Sequence, residues 1–170
     1  PGEGDPGAVA HALQEADFNL IIASLVHSQL EDLGYYVVQT RSFDKFIKLQ
    51  DRTRMANETA CDIFISIHAN AASSTGAEGM EVLYLSNDGK GIASYVLDEM
   101  ISYFTDMKSR GLKKRNDLYV LKKTDMPAIL IECGFLTNEG DSLVLKDEDN
   151  QIRMATAIST GVDKYHKSRG

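Results

Sequence analysis

The sequence predicts a three-layer α/β fold, in which a mixed and mostly parallel sheet is flanked by helices on both faces. Short runs rich in β-branched and aromatic residues alternate along the chain with stretches whose apolar residues recur at helical spacing. The intervening helices are long enough to cross between parallel strands of one sheet. A chain of 170 residues has the size of one domain, so we predict a single domain over residues 1–170.

The first half of the chain predicts helices and strands in alternation. Residues 1–7 are rich in glycine and proline, which is typical of a loop. Apolar residues from Phe18 to Leu33 recur at helical spacing, and Gly34 follows as a C-cap. The next predicted elements are a strand over 35–40 (YYVVQT), a helix over 48–60 and a strand over 62–67.

The second half continues the alternation. A small polar loop over 71–77 separates the strand over 62–67 from the next strand. The predicted elements are a strand over 79–86, a helix over 90–105, short strands over 118–122 and 128–133, and a C-terminal helix over 150–167. This order predicts crossover connections and a sheet covered on both faces.

Charge and hydropathy exclude several classes of protein. The chain carries 18 basic and 25 acidic residues, a net charge of −7, so we expect no nucleic-acid partner. No apolar run approaches the roughly 18 residues of a membrane-spanning helix, and we expect no membrane insertion. The two cysteines are too few for a disulfide scaffold.

Two polar residues follow apolar runs at the ends of predicted strands. His68 comes after ISI, and Glu132 comes after AILI. In α/β sheets, ligand sites gather at the carboxyl ends of parallel strands. A lone histidine there is more often a hydrogen-bonded rim residue, whereas a buried carboxylate needs a partner such as a cation. Because zinc prefers imidazole and carboxylate ligands, the pair predicts a zinc site.

Glu15 is a third candidate, at the start of the first predicted helix. An acidic residue in a first helical turn is also favoured by the helix dipole alone, so a purely structural role is the alternative. His11 lies four residues before Glu15 and reaches a common site only if the segment between them is helical.

The motifs in this order resemble a known enzyme family. The strings DPGAVA, LQEADFNL, LQDRTRMAN, DIFISIHANA, GMEVLYL and LYVLKKTDMPAILIECGFLTN are similar to those of zinc-dependent N-acetylmuramoyl-L-alanine amidases, found in bacterial autolysins and phage endolysins. The resemblance covers nearly the whole chain from Gly4. Its most specific part is SIHAN followed by the string with Pro127, Leu130, Glu132, Gly134 and Phe135.

The resemblance implies both a reaction and roles for the candidate residues. It implies hydrolysis of the amide between N-acetylmuramic acid and the L-alanine of the stem peptide, with peptidoglycan as the partner. Glu15 and His68 correspond to ligands of the Zn²⁺ cofactor, and Glu132 corresponds to the general base. Asn70, two residues beyond His68, either touches the substrate or orients the loop; a structural role in the turn is equally compatible.

The sequence departs from the family at its start. The resemblance places a further histidine ligand, and the strand before it, ahead of Pro1, but the sequence begins PGEGDPGAVA with neither. Either a ligand has been lost or the chain is trimmed or altered here, and we expect the parent protein to carry both upstream.

Two other functions stay open beside the amidase. They are a metal-deficient cell-wall-binding module of the same fold and a zinc peptidase that cuts within the stem peptide. For the amidase we expect a monomeric catalytic domain in the cell wall or the extracellular space, as a secreted autolysin or as a phage lysin released from the host cytoplasm.

Overall fold

The computed structural model describes residues 1–169. The strands are β1 (Val9–Ala10), β2 (Leu13–Gln14), β3 (Phe64–Asn70), β4 (Met80–Tyr84), β5 (Ser109–Lys114) and β6 (Ala128–Phe135). The helices are α1 (Glu15–Asp32), α2 (Leu49–Glu58), α3 (Asn87–Tyr103), α4 (Tyr119–Lys123), α5 (Glu139–Lys146) and α6 (Glu148–Lys167). None of the helices within these residues is long and apolar enough to cross a membrane.

The central sheet has four strands in the order β3-β6-β4-β5. The pairs β3–β6 and β4–β5 are parallel, whereas β4 and β6 run antiparallel. The sheet is therefore mixed and mostly parallel, as the sequence predicts.

Helices cover both faces of this sheet. On one face, α1, α3 and α6 pack over the side chains of Val82, Ile129 and Ile131, which are fully buried. On the other face, the shorter helices α2 and α4 cover a smaller cluster that includes Leu83 and Leu130. Because side chains alternate between the two faces of a strand, the apolar runs of β4 and β6 supply both layers. The predicted three-layer fold is confirmed.

The N-terminal segment accepts hydrogen bonds from the first amides of α1. The amide of Glu15 donates to the carbonyl of Ala8 at 2.8 Å, and the amide of Ala16 donates to the carbonyl of Pro6 at 3.0 Å. These bonds satisfy two amides that a helix start leaves unpaired. The segment just before β1 therefore holds the first turn of α1, and with it Glu15, in place.

One predicted strand does not form. Residues 35–40 join no sheet, although their composition favours a strand. They line a cavity of about 370 Å³, and residues of β3 such as Ile65 line it too. A β-rich run becomes a strand only when a neighbouring strand offers backbone partners, and residues 1–169 offer none to this segment.

The prediction of a strand over 118–122 is also wrong, because these residues form the short helix α4. The amide of Lys122 donates to the carbonyl of Leu118, and Val120 and Leu121 are both buried. Two adjacent buried side chains do not fit the alternation of a half-exposed strand, whereas one turn of helix places both against the α2 layer.

Strand β5 and helix α5 are absent from the sequence prediction, as are the two-residue strands β1 and β2. Strand β5 reads SRGLKK, and it lies at the sheet edge, where an apolar face is not required. Helix α5 begins after Asn138, whose side chain accepts a hydrogen bond from the amide of Asp141 at 3.0 Å. An asparagine N-cap is a readable signal of a helix start, but the helix behind it is short.

Candidate active site

A row of polar side chains crosses three adjacent strands on the face covered by α2 and α4. In the sheet register, Glu132 of β6 stands opposite His68 of β3 on one side and Glu81 of β4 on the other. Residues paired in this way point to the same face of a sheet. The sequence prediction placed His68 after its strand, but β3 continues to Asn70, so His68 lies within the strand near its carboxyl end.

Glu15 reaches this row from the first turn of α1. Its Oε1 lies 2.7 Å from Nδ1 of His68, and both side chains are mostly buried. A carboxylate only accepts, so Nδ1 carries the proton and Nε2 accepts from the hydroxyl of Ser66 at 2.9 Å. The two residues predicted as metal ligands are thus in direct contact.

Three neighbours keep the Glu15 carboxylate charged. Burial alone raises the pKa of Glu15, but hydrogen bonds from His68, Asn19 and the amide of Ala8 outweigh burial and lower that pKa below its ordinary value. Asn19 donates to Oε1 at 3.1 Å, and Ala8 donates to Oε2 at 3.2 Å. The result is an ionised carboxylate, the form that binds a metal.

Gly7 makes room for this carboxylate. A Cβ atom at position 7 would lie 2.4 Å from Oε2 of Glu15, and the φ of 68° at Gly7 is one that residues with side chains rarely adopt. The loop therefore approaches Glu15 closely because residue 7 has no side chain.

Glu132 stands in the middle of the row with an unsatisfied oxygen. Its Oε2 is buried and has no hydrogen-bond partner among residues 1–169. Burial raises the pKa of Glu132 to about 8, and the nearby charges of Glu15 and Glu81 add to the rise. A carboxyl group of this kind exchanges a proton near neutral pH, which is what a general base must do.

The chemical types of the side chains at this site suit zinc. An imidazole and a carboxylate are common zinc ligands, and a hydroxyl on the other ring nitrogen fixes the orientation of a ligating histidine. Catalytic zinc sites usually have three protein ligands. Residues 1–169 contain no group of three His, Cys, Asp or Glu side chains placed to hold a metal. They bring together two candidate ligands, Glu15 and His68, with Glu132 in the neighbouring position of the sheet.

The chain is similar to proteins of known family. The sequence profile of a family described as N-acetylmuramoyl-L-alanine amidase matches residues 1–164. The chain belongs to this family. One amidase relative, LytC of Bacillus subtilis (strain 168), is 34% identical over 173 residues, which cover 98% of this chain but only 34% of LytC.

Solved amidase structures share the fold. AmiC2 of Nostoc punctiforme is 36% identical with a TM-score of 0.93, over 98% of this chain and 92% of that one. The catalytic domain of the amidase CwlV of Bacillus (Paenibacillus) polymyxa is 34% identical with a TM-score of 0.92, over 98% of this chain and 93% of that one. The family resemblance found in the sequence is confirmed.

The remaining candidates, Asn70 and His11, do not contact Glu15, His68 or Glu132 through a side-chain hydrogen bond within residues 1–169. The Oδ1 of Asn70 accepts from the amide of Ala71 at 2.8 Å, which shows a role in the turn after β3; substrate binding by Asn70 stays a prediction. His11 lies in the tight turn between β1 and β2, is exposed and has a φ of 49°. The segment between His11 and Glu15 is therefore a hairpin rather than a helix.

Four supporting residues were not predicted from the sequence, although the sequence contains a recognisable pattern for three of them. Ser66 precedes His68 by two residues, which puts both on one strand face, and Asn19 follows Glu15 by four residues on α1. Glu81 interrupts the apolar run of β4 with a charge. Arg110 of the polar strand β5, which pairs with Glu81 at 2.9 Å, left no comparable signal.

Proposed function

We propose that this member of the amidase family hydrolyses the amide bond between N-acetylmuramic acid and the L-alanine of the peptidoglycan stem peptide. The observation that carries the proposal is the contact of Glu15 with His68 beside the unpartnered Oε2 of Glu132. A neutral amide is a poor electrophile, and its hydrolysis needs an activated water and a proton for the leaving amine.

Glu15 and His68 would hold a zinc ion. When bound, zinc polarises the scissile carbonyl and lowers the pKa of a coordinated water. The ionised state of Glu15 suits this role, and so does the position of the His68 ring, which turns Nδ1 towards Oε1 of Glu15. The third protein ligand that the family resemblance implies stays a prediction.

Glu132 would transfer the proton in this reaction. Its Oε2 is the acceptor without a partner, so it is free to take a proton from the attacking water and to pass that proton to the leaving amine nitrogen. The elevated pKa of Glu132 makes the protonated intermediate state of this carboxyl accessible near neutral pH.

We further propose that residues 1–170 act as one catalytic domain, as a monomer, on the cell wall from the extracellular side. The cell wall is where the substrate lies, and the candidate site is built on the four-stranded sheet of this one domain.

Zinc content and the release of stem peptides from purified cell walls test the function. We expect stoichiometric zinc and free stem peptides that begin with L-alanine, as identified by mass analysis. Glu132→Ala should abolish release and leave zinc in place, because Glu132 is not a ligand. Binding to walls without release would favour the wall-binding module, and fragments cut within the stem peptide would favour the peptidase.

A further inference from the structure

Glu81 is a buried carboxylate that the proposed mechanism does not use. Its side chain is only 11% exposed, and it stands directly opposite Glu132 in the β4–β6 register. Two like charges in this arrangement destabilise a sheet. Such a pair therefore needs a compensating interaction, and the structure contains one.

Arg110 compensates the charge of Glu81. Its Nε donates to Oε2 of Glu81 at 2.9 Å, and its Nη1 donates to the carbonyl of Glu78 at 3.4 Å. The guanidinium also lies 4.9 Å from the ring centroid of Phe135, within the range of a cation–π contact. Contacts to three residues hold Arg110 in one orientation.

The backbone of β5 is shaped to deliver this side chain. The β4–β5 register shifts between Met80 and Glu81, so that Ser109 and Gly111 have partners on β4 while Arg110 is the extra residue. Irregularities of this kind re-aim a side chain and often occur beside active sites. Arg110 thereby reaches Glu81 from the neighbouring strand.

The same pair contacts both sides of the candidate site. Oε1 of Glu81 lies 3.4 Å from Nδ2 of Asn70, two residues beyond His68 on β3. Phe135, under the guanidinium of Arg110, is three residues beyond Glu132 on β6. The pair therefore connects the strand ends that carry the proposed ligand and the proposed base.

We propose that Glu81 and Arg110 form a positioning pair for Glu132. Arg110 holds Glu81 on the side of Glu132 away from His68. Glu81 occupies that side, and its charge disfavours a Glu132 carboxylate turned towards β4, so Glu132 keeps the orientation that faces the site. The inference rests on the proposed function, because it takes Glu132 as the general base.

A double-mutant cycle tests the pair. In Arg110→Met, Glu81 is left unpaired and free to move, so we expect kcat to fall about a hundredfold with KM within about twofold of wild type. Glu81→Gln keeps the shape but removes the charge, and a fall in kcat of about tenfold is expected. The double variant should resemble Glu81→Gln and so recover about tenfold over Arg110→Met.

Two controls separate positioning from folding. Lys108→Met removes the exposed Lys108–Glu78 ion pair, which joins the same two segments of chain at 3.5 Å but lies away from Glu132, and it should keep the wild-type kcat. Thermal unfolding reports the folded fraction of each variant. If Arg110→Met does not fold, Arg110→Lys keeps the charge without the planar contacts, and its kcat should fall about three- to tenfold.

The outcomes separate this inference from the proposed function. If every folded variant keeps the wild-type kcat, the positioning role is wrong while the proposed function stands. A rise in KM at unchanged kcat would also contradict the positioning role, because it would indicate contact with the substrate. A wild-type protein that releases no stem peptides contradicts the proposed function, and the inference falls with it.

Discussion

The two sides of the sheet differ in how they are held. On the side of β6, β4 and β5, each strand pairs with its neighbours, and the helices of the α3 and α6 layer cover fully buried side chains such as Ile129 and Ile131. On the side of β3, the outer edge faces a cavity of about 370 Å³, with residues 35–41 lining it as well. Within residues 1–169, the domain therefore has one closely packed side and one open side.

The candidate site takes its residues from both sides. Glu132 and Glu81 come from the packed side, whereas His68 stands on β3 at the open side. Glu15, from α1, is joined to His68. The proposed base is thus built on the better-supported strands, while the proposed ligands depend on a contact between α1 and the outermost strand. A bound ion would tie these two elements together.

Substitutions at the site should separate its two halves by their effect on metal binding. We expect Glu15→Ala and His68→Ala to weaken zinc binding by more than a hundredfold, because each removes a ligand, whereas Glu132→Ala keeps the affinity. Ser66→Ala removes the hydrogen-bond partner of the His68 ring and should weaken zinc binding about ten- to a hundredfold. Zinc titration against a competing chelator measures all four, and loss of zinc in Glu132→Ala would make it a ligand instead of a base.

Hydrogen exchange should show the contrast between the two sides directly. Amides of residues 36–39, which belong to no ladder, should exchange at least about a hundredfold faster than those of residues 129–132 in β6. Amides in the middle of α6 serve as an internal reference for a protected element. Equal protection of the two segments, measured by mass spectrometry of deuterated peptides, would contradict an open side.

A smaller effect concerns the pH dependence of stability in the metal-free protein. Burial raises the pKa of Glu132 from its ordinary 4.5 to about 8, so between these values the folded state holds a proton that the unfolded chain has lost. The free energy of unfolding contributed by this group therefore falls as pH rises from about 4.5 to about 8. Glu132→Gln should flatten this dependence, and thermal midpoints between pH 5 and 8 with chelator present measure it. Parallel curves for the two proteins would refute the assignment.

Much of the fold can be predicted from the sequence because its core elements carry strong periodic patterns. The apolar positions of α1 and the run AILI of β6 are buried as their patterns indicate. The failures lie where the pattern depends on distant neighbours. The run 35–40 has strand composition without a partner strand, and β5 has a partner without strand composition.

The candidate site divides in the same way. His68 and Glu132 can be found because each puts a polar group after an apolar run, and the family motifs supply Glu15. Their contact at 2.7 Å joins residues 53 positions apart, which no local pattern contains. Arg110 stays hidden for the same reason, since its role depends on the register shift between β4 and β5.

The polar sequence of β5 has a consequence for self-association. Lys113 and Lys114 are exposed on this edge strand, and lysines discourage the addition of a strand from another molecule. Replacing both lysines with apolar residues should therefore favour intermolecular strand pairing at β5, because charges at a sheet edge act as gatekeepers.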